Sequence, residues 1–369
     1  MNIAFVNSTR IWSGVKTWMV EFGSELRRQG HQVSCFGRDP VFIEEAGKKG
    51  CNAYQLTFGP DYNPFAVRYF YKTFKKLQID ITCMNIQKEL RTAGIAARIL
   101  RIPIVHRVGL PGDINRKLDQ RLAQKFLVDE ILVTSRWIKE ELTKRFDFIP
   151  EEKICLIHNS KPVNDGHKLK IRRPVPFVIT SRLAEGKGHL TVVKAFRRLL
   201  EEGHKDFYCH IYGDGPQKTK IQAAISEAKL EDRLILKGFQ KNIREKLKAY
   251  SFGLLASRIE GFPNTVAEYM STALPCISTC GGGTTELMEH GKNGFLYDYQ
   301  DDRKLAEWIR HCLQMDDHDY SRMSMQAKQT MLTSFELNTN VQHLSRRFLE
   351  IINTRSYPKT TDPASIFGG

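Results

Sequence analysis

The sequence has no apolar run that could cross a bilayer. None of its hydrophobic stretches approaches the length required, which is about 20 residues, within a chain of 369 residues. The opening segment MNIAFVNSTRIWSG also lacks the basic start, the long apolar middle and the cleavage site of a secretory signal. These absences argue against a membrane-spanning or secreted protein, so we expect a cytoplasmic location.

The sequence also lacks paired cysteines. Its eight cysteines are scattered and form no CxxC pair, and the two closest together, Cys276 and Cys280, have no second pair at metal-ligand spacing. Disulfides are rare in a reducing compartment. We therefore expect buried free thiols and no zinc site.

Acidic residues are in short supply. The chain has 56 Lys and Arg against 41 Asp and Glu, a formal net charge of +15. The excess is greatest between Pro64 and Lys125, where 13 basic residues stand against 4 acidic ones. Such a charge indicates an acidic partner, which could be a nucleic acid, an anionic membrane surface or a phosphorylated substrate.

Short apolar strands alternate with helical stretches in both halves of the chain. Predicted strands lie at 3–7, 31–37, 81–86, 103–108 and 130–135, and again at 176–183, 207–216, 233–239, 252–257 and 275–280. This alternation predicts an α/β protein with two doubly wound, Rossmann-like domains of parallel strands, facing a cleft. We expect domains at 1–165 and 170–335, a last helix at 336–354 and a flexible tail at 355–369.

Polar clusters follow several of the predicted strands, where ligands bind in such sheets. The loop SRLAEGKG places Arg182 and Lys187 five positions apart, a pair that suits a diphosphate. The alternative is a solvated basic loop. The turn YGDGP contains Gly213, which permits close backbone approach to a ligand but does not match a dinucleotide-binding pattern.

Two carboxylates flank a turn-rich segment in EGFPNTVAEY. Glu260 precedes the turn residues, and Glu268 lies one turn into a predicted helix that begins near Val266. The start of a helix attracts anions, so a phosphate could bind at the loop while Glu268 accepts hydrogen bonds from ribose hydroxyls. Glu260 would then reach another part of the same ligand. The alternative is that both are surface acids.

A glycine-rich segment follows the last of these strands. CGGGTTE, at 280–286, combines three glycines with hydroxyl side chains. Such a segment is a candidate anion nest, and the alternative is a flexible connector.

Seven short motifs occur in order over 176–297: SRLAEGKG, IYGDGP, LKGF, EGFPNTVAEYM, ALPCIST, GGGTTELM and GKNGFL. Together they resemble the donor-binding domain of the retaining glycosyltransferases of family four (glycosyl transferases group one), which have the two-domain GT-B architecture. The N-terminal half resembles the family more loosely, through its opening strand and the turn at Ser13 and Gly14. The resemblance also implies that the last helix crosses back to the first domain.

The resemblance implies a nucleotide-sugar site in the second domain. Glu268 would hold the ribose, Glu260 would contact the donor sugar near its reacting carbon, and Arg182 and Lys187 would hold the diphosphate and stabilise the leaving group. The candidate catalytic residues are Glu260, Arg182, Lys187 and His106. The other donor-binding candidates are Gly14, Gly213, Gly238 and Phe239, and the main chain of Phe262, Pro263, Asn264 and Thr265. No metal and no cofactor is implied.

One departure from the family concerns a histidine. Many members carry a His after a strand near the transferred sugar, but here His106 falls on the predicted strand and Gly109 takes the usual place. Arg107 or Asp113 could then contact the acceptor. A packed strand histidine is the alternative to a catalytic one, because a retaining transfer can use the leaving phosphate to accept the acceptor's proton.

The acceptor side carries the basic excess. The segment 64–76 interleaves aromatic and basic residues, as in a helix that lies on an anionic membrane. The alternative is an ordinary amphipathic helix. Under the resemblance we expect a glycan or anionic glycolipid acceptor, such as lipopolysaccharide core, met at the inner face of the cytoplasmic membrane.

Two other functions are weighed against this one. A GT-B nucleotide-sugar epimerase would need no basic acceptor face. A nucleic-acid binder would explain the charge but would leave the acid pair at 260 and 268 unexplained. We therefore expect a glycosyltransferase without a nucleic-acid partner.

Overall fold

The computed structural model describes residues 1–163, 170–241 and 243–354. The chain divides into two compact units. Of the described residues, the first unit contains Met1–Val133, Lys139–Ile157 and those from 338 to 354, and the second contains Thr134–Ile138 and those between 158 and 337. The expected tail at 355–369, and the expected boundary at 165, lie outside the described residues.

The first unit is built on a seven-stranded parallel sheet with the strand order β3-β2-β1-β4-β5-β6-β7. Its strands are β1 (Asn2–Asn7), β2 (Gln32–Gly37), β3 (Asn52–Gln55), β4 (Ile81–Met84), β5 (Ile104–Val108), β6 (Glu130–Val133) and β7 (Ile154–Leu156). Strand β1 pairs Ile3 with Val33 on one side and with Ile81 on the other. A strand paired on both sides and covered on both faces must be apolar throughout, which explains the continuous run IAFV.

Seven helices come from the first part of the chain. They are α1 (Gly14–Arg28), α2 (Pro40–Lys48), α3 (Pro64–Lys76), α4 (Gln87–Glu89), α5 (Ile95–Ile99), α6 (Leu118–Leu122) and α7 (Arg136–Arg145). A π-helical turn at Leu90–Gly94 joins α4 to α5, a second one at Ala123–Leu127 continues α6, and 3₁₀ turns lie at Pro111–Asp113 and Glu151–Lys153.

Helices α2 and α3 begin with the same device. Asp39 and Asn63 precede a proline at the first helical position, and each side chain accepts a hydrogen bond from the second helical backbone N–H. This cap satisfies one of the unpaired N–H groups at a helix start.

The second unit contains a six-stranded parallel sheet in the order β10-β9-β8-β11-β12-β13. Its strands are β8 (Val175–Thr180), β9 (Phe207–Tyr212), β10 (Leu234–Gly238), β11 (Phe252–Leu255), β12 (Cys276–Thr279) and β13 (Gly294–Tyr297). Its helices are α8 (His189–Glu201), α9 (Lys218–Glu227), α10 (Ile243–Leu247), α11 (Asn264–Ser271), α12 (Asp302–Gln314) and α13 (Asp317–Ser334), with a 3₁₀ turn at Gly283–Glu286. The predicted fold of two Rossmann-like parallel sheets is therefore confirmed.

The last helix, α14 (Leu337–Thr354), belongs almost entirely to the first unit. Arg347 donates two hydrogen bonds, at 2.5 and 2.6 Å, to the two carboxylate oxygens of Glu130 on β6. Ser345 also lies 2.7 Å from the ring of His31. These contacts fix the helix to the sheet of its own unit.

All eight cysteines are free thiols, and six of them are buried, as predicted. Among the described helices, none is both long enough and apolar enough to cross a membrane.

The bidentate contact between Arg347 and Glu130 should be a measurable part of the stability. The Glu130 side chain is almost fully buried, whereas that of Arg347 is about one-third exposed. We expect Arg347→Met to lower the free energy of unfolding by about 2 kcal/mol, because a buried carboxylate loses its partner while solvent compensates in part. Urea denaturation measures the difference. Arg346→Met, at an exposed neighbouring position, is the control, and equal losses for both variants would contradict the prediction.

Candidate functional site

The candidate site of the second unit lies at the carboxyl edge of its sheet. The loops after β8, β9, β10 and β11 carry Arg182, Gly213, Phe239 and Glu260, respectively. Because parallel strands all end at the same edge, this topology alone brings the four loops to one side of the unit.

The two charged candidates nearest each other are Lys187 and Glu260. The Lys187 ammonium donates to a carboxylate oxygen of Glu260 at 2.6 Å, and both side chains are partly exposed. Arg182 is exposed on the same loop as Lys187. The loop after β8 therefore presents two cations, one of them paired with a carboxylate, an arrangement that can hold an anionic group next to a hydroxyl-bearing one.

Helix α11 is anchored so that Glu268 stays at this edge. The Thr265 hydroxyl donates to the carbonyl of Thr180 at 3.0 Å, and the Thr180 N–H donates to the buried hydroxyl of Tyr269 at 2.8 Å. Both contacts tie the first turns of α11 to the end of β8. Glu268, between the two anchors, remains partly exposed.

A buried lysine meets this second carboxylate. The Lys161 ammonium lies 3.1 Å from a carboxylate oxygen of Glu268, and its side chain is almost fully buried. Nearby, Asn159 donates to the Asn264 side chain at 3.0 Å. Sequence reasoning missed both residues, because they lie in a polar stretch without periodicity near the end of the first predicted domain.

The backbone around Glu260 is held by the three glycines at 281–283. A β-carbon on Gly282 would lie 2.0 Å from the Glu260 carbonyl oxygen, and one on Gly283 would lie 2.3 Å from that of Gly261. The Gly283 N–H donates to the Glu260 carbonyl at 2.9 Å. The glycines thus permit close packing against the Glu260 loop, and the anion nest stays a prediction.

Gly213 has a similar role on the other side of the edge. Its φ is +151°, and a β-carbon there would lie 1.9 Å from the Ser181 carbonyl oxygen. Gly213 therefore permits a close approach to the loop after β8, which carries Arg182 and Lys187, and its contact with a ligand stays a prediction.

The remaining candidates of this unit differ in what they can present to a ligand. Gly238 ends β10, and the next side chain, Phe239, is 61% exposed. An exposed aromatic ring can stack against a nucleobase. Phe262 and Pro263 are buried, so only their main chain could contact a ligand, as expected.

In the first unit, Gly14 and Asp113 occupy exposed positions. Gly14 is the first residue of α1. The Asp113 carboxylate accepts hydrogen bonds from the N–H groups of Gly109 and Leu110, both at 2.9 Å. Asp113 therefore shapes the turn that follows β5 and stays accessible at its surface.

His106 and Arg107 are buried on β5. The His106 ring lies 3.2 Å from the Asn85 carbonyl oxygen through Nε2, and Gln124 contacts its Nδ1 at 2.9 Å. Burial lowers the pKa of His106, so the ring is neutral. These contacts favour the packed strand histidine over the catalytic role.

The Arg107 guanidinium stacks over the Trp18 ring at 4.6 Å. Burial lowers its pKa to about 10. Arg107 is 2% exposed, so it does not present its charge to an acceptor, and its expected binding role gains no support.

Sequence reasoning also missed the buried Glu89. Its carboxylate accepts hydrogen bonds from the N–H groups of Ser8 at 2.7 Å and Asn85 at 2.6 Å, and burial raises its pKa to about 7. It joins the loops after β1 and β4 at the carboxyl edge of the first sheet. No sequence signal marks it, because it looks like an ordinary helical glutamate.

A grouping that could hold a metal ion, among the described residues, is Asp316, His318 and Asp319. All three are exposed and lie around the start of α13, and none of them is a predicted site residue. Metal independence stays a prediction.

Both halves of the chain match models of protein families. Residues 175–315 match the model described as glycosyl transferases group 1, and residues 12–160 match the model described as glycosyltransferase family 4. Together the two segments cover well over half of the chain.

Curated relatives carry related names. The chain is 26% identical over 305 residues to UDP-Gal:alpha-D-GlcNAc-diphosphoundecaprenol alpha-1,3-galactosyltransferase of Escherichia coli, covering 76% of this chain and 78% of that protein. It is 32% identical over 176 residues to lipopolysaccharide 1,6-galactosyltransferase of Salmonella typhimurium, covering 46% and 48%. The chain spans about half the length, 42% to 55%, of several other curated relatives that it matches.

A solved structure shares the fold. The Anabaena HepE structure in complex with UDP and glucose superposes with a TM-score of 0.80 at 20% identity, covering 95% of this chain and 99% of that one. At this identity the likeness concerns the fold alone.

Gly213→Ala should be costly. The new β-carbon would meet the Ser181 carbonyl and would adopt a φ that side chains rarely take, so we expect a loss of at least about 2 kcal/mol in the free energy of unfolding. Gly203→Ala is the matched control, because Gly203 also has a positive φ but no atom lies near its β-carbon. Urea denaturation compares them, and the prediction is wrong if Gly213→Ala costs no more than the control.

His189, at the start of α8, should make stability depend on pH. Its ring lies 2.9 Å from the Ser181 hydroxyl, and burial, with the charge of Lys187, lowers its pKa from 6.5 to about 4. The unfolded chain binds the proton of this histidine more readily than the folded chain does. The stabilisation of the fold by neutral His189 is therefore present above pH 6.5 and is lost as the pH falls. The loss should reach up to about 3 kcal/mol near pH 4.

The test compares urea unfolding of the wild type, His189→Gln and His318→Gln between about pH 7 and about pH 5. His189→Gln should lose less stability on acidification than the wild type. His318→Gln, at an exposed position, should follow the wild type. Parallel profiles for all three proteins would contradict the assignment.

Proposed function

The chain belongs to the glycosyltransferases described as group 1 and family 4, and we propose that it transfers a sugar, with retention, from a nucleotide-sugar to a lipid-linked or lipopolysaccharide glycan. The observation that carries the proposal is the pair of carboxylates at one sheet edge. Glu260 is paired with Lys187, and Glu268 with the buried Lys161. Each carboxylate is partly exposed and held by a neighbouring cation, and so each can still accept hydrogen bonds from ligand hydroxyls.

The donor lies with its ribose at Glu268 and its diphosphate at Lys187 and Arg182. A carboxylate accepts two hydrogen bonds from vicinal hydroxyls. The ionised diphosphate has no such hydroxyls to donate. The cations supply donors for the diphosphate. Phe239, exposed at the end of β10, is placed to stack on the base.

In the reaction, the bond between the anomeric carbon and the diphosphate oxygen breaks, and a bond to the acceptor oxygen forms on the same face of the sugar. The departing nucleoside diphosphate gains negative charge, which Lys187 and Arg182 stabilise. Its phosphate oxygen accepts the proton of the acceptor hydroxyl, so no separate base and no metal is required. The role of Glu260 is to hold the sugar near its reacting carbon.

Two relatives support the proposed kinds of donor and acceptor. The Escherichia coli relative is named for UDP-Gal and a diphosphoundecaprenol-linked acceptor, and the Salmonella relative is named for lipopolysaccharide. A UDP-hexose and a glycan on an anionic lipid, met at the inner face of the cytoplasmic membrane, agree with the basic excess of the first half. The relatives described above are named as transferases, which gives the epimerase alternative no support.

The ribose assignment can be tested by calorimetric binding of UDP and of inorganic diphosphate. Glu268→Gln should weaken UDP binding by about tenfold or more, because a charged acceptor of ribose hydroxyls is lost, while diphosphate binding stays the same. Lys187→Met should weaken both ligands.

The matched control is Glu289→Gln, which changes an exposed acid paired only with a surface lysine and should alter neither affinity. Wild-type affinity for UDP in Glu268→Gln would contradict the ribose assignment. Absence of UDP binding by the wild type, with a panel of other nucleoside diphosphates also failing, would contradict the proposed donor class.

A further inference from the structure

The helical segment 118–127 is formed by α6 and the π-helical turn after it. Its apolar side faces solvent, and its polar side faces the core of the unit. Leu118, Leu122 and Phe126 are 70%, 46% and 57% exposed. A surface helix of a globular protein normally turns such residues inward and its polar residues outward. Packing against the core of the unit therefore does not account for the exposure of these three side chains.

The buried side of the same segment is polar. Gln120 accepts a hydrogen bond from the Asn115 N–H at 2.9 Å, and Gln124 contacts the His106 ring at 2.9 Å. Both glutamines are buried, with Ala123 between them. The helix is thus docked on its unit by polar contacts, which leaves its apolar side facing outward.

The exposed apolar residues form one stripe with cations beside it. Leu118, Leu122 and Phe126 are spaced by four, so they lie on the same side of the helix. Arg121 and Lys125 are exposed at the positions between them. Alternating apolar and basic side chains on an outward stripe are typical of helices that lie in a membrane interface.

The stripe continues onto neighbouring helices. Arg91 pairs with Asp61 and with Asp119 and lies 5.6 Å from the Tyr62 ring, which connects the start of α3 to α6. Arg98 donates to the Phe126 carbonyl, which connects α5 to the end of the segment. We call the whole the basic-apolar face, and its exposed members are Tyr62, Phe65, Ile99, Leu118, Leu122 and Phe126, with Arg101, Lys117, Arg121 and Lys125.

We propose that the basic-apolar face docks the protein on an anionic phospholipid bilayer, with the apolar stripe in the interface and the cations at the lipid phosphates. Charge complementarity selects this occupant. The acid on the helix itself, Asp119, is paired with Arg91, so the stripe presents positive charge. A second copy of the chain would bring the same cations against one another, which disfavours a symmetric dimer.

The proposal rests on the proposed function, because it explains how a lipid-linked acceptor reaches the chain. The turn with Asp113 follows β5, and Leu118 comes five residues later. A bilayer held against the segment 118–127 would bring lipid head groups close to the carboxyl edge of the first sheet. The docking surface is then centred on the segment 118–127, and not on the basic side of α3 alone.

The test is co-sedimentation of the full chain with vesicles of phosphatidylcholine alone and with about one-third phosphatidylglycerol. The wild type should bind the anionic vesicles and not the neutral ones. Leu122→Ser/Phe126→Ser should weaken that binding by about tenfold or more. Arg121→Glu/Lys125→Glu should weaken it equally, and the salt dependence of the remaining binding should fall.

A matched control removes exposed apolar side chains elsewhere. Met325→Ser/Leu332→Ser changes two residues of α13 that are 47% and 42% exposed, and it should bind vesicles like the wild type. UDP binding, measured on every variant, should be unchanged, which separates docking from the donor site.

Three results would overturn the proposal. The first is a wild type that binds UDP but does not bind anionic vesicles. The second is equal vesicle binding by the wild type and Leu122→Ser/Phe126→Ser. The third is a concentration-dependent dimer that this variant abolishes, since the face would then bind a second copy. Absence of UDP binding by the wild type would instead count against the proposed function.

Discussion

Close backbone approach at the carboxyl edge of the second sheet is the constraint on which the candidate site depends. Ser181 and Glu260 each have a carbonyl oxygen about 2 Å from where a β-carbon of a facing glycine, Gly213 or Gly282, would stand. Two loops with charged side chains are thereby held against their neighbours by main-chain contacts, without a bulky residue between them. Lys187 and Glu260 lie on these two loops and form a hydrogen-bonded ion pair between them at 2.6 Å. A site organised in this way needs little reordering when a charged ligand arrives.

The first unit uses buried polar contacts for a similar purpose. Glu89 holds the loops after β1 and β4, Asn85 connects it to the His106 ring, and Gln124 completes the chain of contacts. The neutral histidine is therefore a structural element between a loop and a helix. Gln124 also places the polar side of the segment 118–127 against the His106 ring, and Leu118, Leu122 and Phe126 face outward.

Much of the fold could be predicted from the sequence, because buried parallel strands are continuous apolar runs. The short edge strands β3, β7 and β13 were not predicted. NAYQ carries polar side chains suited to an exposed edge, and ICL is only three residues long. The acid pair and the Arg-Lys loop were found because motif order and turn chemistry mark them. Lys161, Glu89 and the inward glutamines could not be found, because their burial depends on tertiary contacts that local pattern does not record.

A crystal structure of the chain with UDP would show whether the paired carboxylates form a nucleotide-sugar site. We expect ribose hydroxyls within about 3 Å of the Glu268 carboxylate, with the diphosphate against Lys187 and Arg182 and the base beside Phe239. UDP bound away from the carboxyl edge of the second sheet, or bound there with the ribose turned from Glu268, would contradict this expectation.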